Sequence, residues 1–228
     1  MDLVHAALAK GQKALGEYES KQFLANFGIP TTREVIAKDA GAAALAANEM
    51  GFPVVLKASG TVLFHKTEIE GVSLNLRTGQ DVEREGERLL RIPGCEALLV
   101  QEMVKGGREL VCGLTRDAQF GPCIMFGIGG ILTEILKDIA FRLAPLTAWD
   151  AREMLTEIRG KKILEPFRGE AAVDQEVLSR VLVALGEIGR DYEAVAEVDI
   201  NPLKIRPDGT PVAVDALVVL RPPGEYES

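Results

Sequence analysis

The sequence predicts an α/β protein with mixed sheets, and three observations carry that expectation. Strand-like apolar runs alternate with helical periods through short links. Pro93-Gly94 interrupts the pattern near the middle, and three strand-like runs then follow in close succession. A chain of 228 residues has room for one large domain or two modest ones. The break places the two at 1–93 and 94–228, with interleaving allowed.

Each element has a local cause. Over 4–27, Val4, Ala7, Leu8 and Leu15 share one helical face, and Phe23, Leu24 and Phe27 close a second segment. Ser20 is the expected N-cap of that second helix, and Gly28 with Pro30 ends it. A strand is expected over 31–37, then an alanine-rich helix over 40–50 closed by Gly51. The run 53–58 reads as a central strand ending in the cation Lys57. A loop with Gly60, His65 and Lys66 leads to a strand at 72–76 and a helix at 81–91. Strands follow at 97–103, 109–115 and 122–126, with a tight reversal at Lys105-Gly106-Gly107. Gly127-Ile128-Gly129-Gly130 reads as a flexible loop opening onto Glu134 and Asp138. Helices at 150–157 and 174–189 precede the last strands, of which the final one spans 211–220 after a Pro207-Asp208-Gly209 turn. The tail from 221 is Pro-rich and polar.

Composition removes several function classes. A net charge of −8 with no basic block argues against binding nucleic acid through its phosphates. No apolar run approaches the roughly 20 residues of a membrane span. Met1-Asp2-Leu3-Val4-His5 has neither the basic start nor the apolar core of a secretion signal. The three cysteines lack CxxC spacing and the chain has two histidines, so a zinc site is not expected. Free thiols in a reducing cytoplasm fit this usage.

Functional candidates centre on Glu197-Val198-Asp199-Ile200-Asn201-Pro202-Leu203, read as a buried strand that turns at its proline. Period two puts Glu197, Asp199 and Asn201 on one face and Val198 and Ile200 on the other. With Asp215 from the next apolar run, these oxygens suit a hard divalent cation such as Mg²⁺. Lys57 can pair with phosphate oxygens. Val100-Gln101-Glu102-Met103-Val104 can offer backbone groups to an adenine edge and a carboxylate to a ribose, and Glu109 follows shortly after. The Gly127–130 run resembles a phosphate cradle, although Walker A is absent and the Rossmann glycine pattern is incomplete. His65, a loop histidine, can accept a phosphoryl group on its neutral imidazole. Singly, each feature also has an ordinary structural reading: an Asx turn, a solvated strand end, an edge strand, a plain loop, a surface histidine. As a set they describe nucleotide handling, in which catalysis is positioning and charge neutralisation.

The set resembles a known family. Glu17-Tyr18-Glu19-Ser20-Lys21, Phe27-Gly28-Ile29-Pro30 and Val54-Val55-Leu56-Lys57 look like the opening of ATP-grasp subunits of the succinyl-CoA synthetase superfamily. Leu63-Phe64-His65-Lys66-Thr67, the Gly127–130 run, Arg142-Leu143-Ala144-Pro145-Leu146 and the Glu197–Leu203 motif are similar to the β subunit of NDP-forming acetyl-CoA (acyl-CoA) synthetases. The resemblance implies an ATP-grasp fold of two lobes closing over a nucleotide. It implies the reaction acyl-CoA + ADP + phosphate ⇌ acid + ATP + CoA, with the phosphoryl group passing from an α-subunit histidine through His65 to ADP. Lys57, Glu102, Met103, Val104 and Glu109 would hold ATP or ADP, Asn201 and Asp215 would hold Mg²⁺, and Asp199 would orient the phosphohistidine. Lys21 and Arg142 would be further phosphate contacts. A separate CoA-binding α chain in an α₂β₂ assembly is implied. The rivals are a nucleotide-sensing module of the kind fused to protein acetyltransferases and a carboxylate–amine ligase that needs no relay histidine. Two departures stand out: Glu70 occupies a position where the family has glycine, and a glycine expected before Arg168 is missing.

Overall fold

In the computed structural model, residues 3–60, 70–130 and 138–222 are described. The chain divides into two compact units, one of Thr32–Val104 and one of Met1–Thr31 with Lys105–Ser228. This differs from the boundary expected at Pro93-Gly94. After that turn, β4 (Ala97–Glu102) returns into the sheet it had just left, so the first unit continues to Val104.

The smaller unit has strand order β1-β4-β2-β3, from β1 (Glu34–Ala37), β2 (Val54–Ser59), β3 (Val72–Leu76) and β4. The mixed sheet that the sequence suggested is antiparallel in every pairing between named strands. Helix α3 (Ala40–Met50) does join two strands running the same way, but β4 inserts between them, antiparallel to both. Helix α4 (Gly79–Leu89) joins β3 to β4 with β2 between them in the same manner. Asp39 caps α3 by accepting from the Ala42 N–H at 2.8 Å, and Gly51 closes it at φ +89°. Ala43, Ala47, Val82 and Leu89 pack against Val54, Leu56, Leu98 and Val100. Burying a Val or Leu side chain contributes about 1.5–3 kcal/mol, so this layer is the main support of the unit.

The larger unit carries a sheet ordered β10-β8-β5-β6-β7, with β9 also on β8. Its strands are β5 (Glu109–Asp117), β6 (Gly121–Ile128), β7 (Ile139–Leu143), β8 (Val195–Ile205), β9 (Pro211–Ala213) and β10 (Ala216–Leu220). The single last strand expected over 211–220 is thus two strands, with Val214 and Asp215 at the corner between them. One face of the sheet is covered: Cys112, Leu114, Phe126, Val198 and Ile200 join a core with Phe23 and Leu24 of α2 (Glu17–Ala25). Helices α5 (Ala148–Glu157) and α6 (Gln175–Asp191) complete it through Met154, Leu178, Leu182 and Leu185. Arg116 closes the C-terminal end of α6, donating to the carbonyls of Gly189 (2.8 Å) and Tyr192 (2.7 Å), where a cation meets the negative helix end.

Two local expectations change. The N-cap of α2 is Gly16, whose N–H donates to the Glu19 carboxylate at 3.1 Å. Ser20 lies inside the helix, where its hydroxyl accepts from the Val218 N–H at 3.1 Å and ties α2 to β10. Leu15 is not helical, because residues 13–15 run along β10, with Ala14 bridging Val219.

Candidate nucleotide and metal site

The acidic face predicted on β8 is present, but the strand does not end at its proline. It runs through Asn201-Pro202 to Ile205, and β8 spends one extra residue against β5 between Ile200 and Leu203. A bulge of this kind is where a strand tolerates proline, which has no N–H to give the ladder. Val198 and Ile200 are buried, Glu197 and Asn201 are exposed, and Asp199 lies between them.

Cross-strand register fixes which side chains share that face. Leu217, Asp199, Gly113, Met125 and Phe141 lie opposite one another in successive strands. Gly113 leaves no side chain beside Asp199, and a Cβ there would fall 2.4 Å from the Val198 carbonyl oxygen. The Asn201 N–H donates to the Asp215 carbonyl at 3.3 Å, and the Val214 N–H to the Pro202 carbonyl at 3.1 Å. Asn201 and Asp215 are therefore adjacent through their backbones. Burial first, then the charges of Glu197 and Asp215, push the Asp199 carboxyl up to about 6.

This donor set fits Mg²⁺. It offers carboxylates and an amide oxygen, and the mutual repulsion seen at Asp199 is what a divalent cation relieves. Among the described residues no group of three or more His, Cys, Asp or Glu could hold a metal by itself. Mg²⁺ does not need one, since it retains waters and draws on substrate phosphates.

The glycine run is not the flexible loop expected. Gly127 and Ile128 belong to β6, paired with Val111 and Leu110. Gly129 crosses so close to β5 that a Cβ would sit 2.5 Å from the Leu110 carbonyl oxygen. Gly130, at φ +72°, lies against the Glu109 carboxylate, which also faces Lys204 at 3.5 Å. The segment is a fixed approach to Glu109. Glu134 lies outside the described residues, and Asp138 accepts from the Arg159 and Gly160 N–H groups at 2.7 Å each.

In the smaller unit, Lys57 is inside β2 rather than at its end, and only 5% exposed. It is therefore not a first solvated residue after a strand. Glu102 ends β4, and its carboxylate accepts from the Arg33 N–H at 3.0 Å and from Arg33 Nε at 3.4 Å. Met103 donates its N–H to the Pro53 carbonyl at 3.3 Å, Val104 is buried, and the chain then leaves the unit.

Two predicted phosphate contacts are engaged with protein groups. Arg142 pairs by register with Ile124, Leu114 and Val198, the covered side of the sheet, and forms an ion pair with Glu157. It lies on the opposite face from Asp199, a consequence of strand alternation that only the register reveals. Lys21 is 1% exposed, pairs with Glu17 at 2.9 Å and donates to the Val214 carbonyl at 3.1 Å. His65 lies outside the described residues.

A family model described as an ATP-grasp domain matches residues 6–220. The β subunit of the Pyrococcus furiosus ADP-forming acetate–CoA ligase II is 36% identical over 230 residues, covering 97% of this chain and 98% of that one. The chain belongs to the ATP-grasp family of ADP-forming acetate–CoA ligase β subunits. Among solved structures, the Ca. Korarchaeum cryptofilum dinucleotide-forming acetyl-coenzyme A synthetase 1, with coenzyme A, Ca-AMPCP and HgCl⁺, superposes with TM-score 0.90. It is 41% identical and covers 96% of this chain and 99% of that one. The same enzyme with coenzyme A and Mg-AMPPCP, its phosphohistidine segment pointing towards the nucleotide site, gives TM-score 0.83 at 40% identity, over the same shares of the two chains.

Sequence reasoning missed two hubs in this ATP-grasp chain. Arg108 is buried and donates to Glu170 (3.0 Å) and to the carbonyls of Ile163 (3.3 Å) and Glu165 (3.1 Å), fixing the start of β5 just before Glu109. Arg88 donates to Glu85 (2.9 Å), Ser73 (3.0 Å) and the Glu70 carbonyl (3.0 Å). It thereby holds Glu70, which sits at φ +53°, a conformation in which a glycine is relaxed. Arg168, beside the other missing glycine, is also left-handed at φ +48°. No periodic pattern marks either hub, because each bonds to groups well separated along the chain.

Proposed function

We propose that this chain is the nucleotide-binding β subunit of an ADP-forming acyl-CoA synthetase, relaying a phosphoryl group through His65 between a separate CoA-binding α subunit and ADP. The observation that carries the reading is the Asp199, Asn201 and Asp215 oxygen set on one face of β8 and its neighbouring corner, in a chain of this family. The α₂β₂ assembly and a cytoplasmic setting are part of the proposal, the latter supported by three free cysteines.

The residues divide the work. Glu102, Met103 and Val104 present a strand end to the adenine and ribose, and Lys57, whose burial keeps its charge from bulk water, meets the phosphates. Glu109, facing Lys204 at 3.5 Å, is available for a further nucleotide contact. Asn201 and Asp215 would hold Mg²⁺, which supplies charge neutralisation at the transferring phosphoryl group. Asp199 would orient or stabilise the phosphohistidine, a role open to a carboxylate toward an imidazole. Transfer to ADP breaks the N–P bond, forms the O–P bond of ATP and leaves the imidazole neutral.

The test is transfer from γ-labelled ATP with Mg²⁺, with and without an α subunit. Acid-labile, base-stable label on the wild type that His65→Ala abolishes is expected. Nucleotide binding without any label, even with the partner present, would overturn the relay and favour a nucleotide-sensing module. Acyl phosphate formation without a labelled histidine would favour a carboxylate–amine ligase.

A further inference from the structure

The pair Lys21–Glu17 is unexplained by the functional reading above. Both side chains are almost fully enclosed, at 1% and 4% exposure, one turn apart on α2. A buried ion pair rarely stabilises a protein more than well-packed apolar residues of the same volume. Lys21 is also not placed to reach a phosphate through solvent.

What Lys21 does reach is the Val214 carbonyl, at 3.1 Å. Val214 and Asp215 are the two corner residues between β9 and β10. The Val214 carbonyl and the Asp215 N–H belong to one planar peptide unit, so holding the oxygen sets the direction in which the Asp215 Cα leaves the corner. Around the same corner, Ala213 donates to the Pro30 carbonyl (2.8 Å), Val214 to the Pro202 carbonyl (3.1 Å) and Asn201 to the Asp215 carbonyl (3.3 Å). These backbone bonds position the main chain on either side. The Lys21 contact comes from a helix and adds a charged donor, stronger than a neutral one. Glu17 supplies the counter-charge at 2.9 Å. A lysine paired in this way gives geometry to an acidic corner while offering less competition to a cation.

We propose that Lys21, held by Glu17, is a positioning residue for Asp215, acting through the Val214–Asp215 peptide to preset the carboxylate for a divalent cation bound with a nucleoside diphosphate. This rests on the reading of Asn201 and Asp215 as the Mg²⁺ ligands.

The experiment measures Mn²⁺ binding by the full chain in the presence of ADP, by electron paramagnetic resonance, beside calorimetric ADP binding without metal. The variants are Lys21→Met, Lys21→Arg, the double variant Glu17→Gln/Lys21→Met, and Asp215→Asn. The double variant removes both charges of this pair together and serves if Lys21→Met does not fold. Supporting residues behind a metal ligand typically change affinity by about 10–100-fold. A loss of about 10-fold in Mn²⁺ affinity is expected for the double variant, with metal-free ADP affinity unchanged and Lys21→Arg closer to wild type. A folded double variant with wild-type Mn²⁺ affinity, or parallel loss of ADP and Mn²⁺, overturns the positioning role. If the wild type does not bind Mn²⁺ with ADP, or Asp215→Asn binds it equally well, the metal-site reading itself fails, which is a separate outcome.

Discussion

Strand β8 has two faces with opposite fates. Val198 and Ile200 join the core with residues of α2 and α6, while Glu197, Asp199 and Asn201 on the other face carry charge and amide oxygens outside that core, among the described residues. The covered face follows the ordinary logic of burial, in which side-chain volume decides stability. The acidic face carries repelling carboxylates, and the Asp199 carboxyl, pushed up to about 6, shows that the fold bears a cost there. A site that is destabilised when empty is relieved by the ligand that fits it. The comparison therefore separates residues that make the fold from residues that the fold holds ready.

The sharpest way to break this comparison is to exchange the two kinds of substitution. Phe126→Ala on the covered face should lose about 3–5 kcal/mol in urea unfolding. Arg108→Met should cost about 3 kcal/mol, because Glu170 loses its buried partner and several carbonyls lose their donor. Phe126 stands apart from the proposed ligand set, so any Phe126→Ala protein that stays folded should bind ADP normally.

Asp199→Asn should behave in the opposite sense. The folded carboxyl titrates near 6 and the unfolded one near 3.8. Between these values the native state binds more protons than the unfolded state, so wild-type stability falls as pH rises through the window and the full penalty remains above it. Asp199→Asn should remove that slope and match or exceed wild-type stability at neutral pH, while impairing phosphoryl transfer. Mg²⁺ with ADP should raise the wild-type Tm more at pH 7.5 than at pH 5. A pH-independent difference between the two proteins would remove the electrostatic account of this face.

The smallest effect concerns backbone strain. Glu70 sits at φ +53°, a conformation that costs a side-chain-bearing residue about 1–2 kcal/mol. Glu70→Gly should stabilise the chain by roughly 1 kcal/mol in thermal unfolding. Arg168→Gly should gain less, since the Arg168 guanidinium lies 5.1 Å from the centroid of the Phe167 ring and that contact is lost.

Much of the fold was legible because its causes are local. The alanine run and the closing Gly51 of α3 marked its bounds at Ala40 and Met50, and β3 fell at Val72–Leu76 as read. The acidic face of β8 was legible through its alternation. What the sequence hid depends on partners far away along the chain. The return of β4 between β1 and β2 moved the unit boundary and made the sheet antiparallel. The side of the sheet taken by Arg142 depends on its register with β6, and Pro202 stays in a strand only because β8 bulges against β5. Ser20 reads as a cap by its type, whereas it bonds to β10 across 198 positions. The proposed relay role of His65 was readable only through resemblance, since one loop histidine has no pattern of its own.

The most direct measurement is anomalous scattering from Mn²⁺ in crystals grown with ADP and the α subunit. The account predicts a peak within about 2.1–2.2 Å of the Asn201 amide oxygen and the Asp215 carboxylate, as hard-cation coordination requires. A bound ADP whose metal lies away from both residues would contradict it, and with it the division of labour between the two faces of β8.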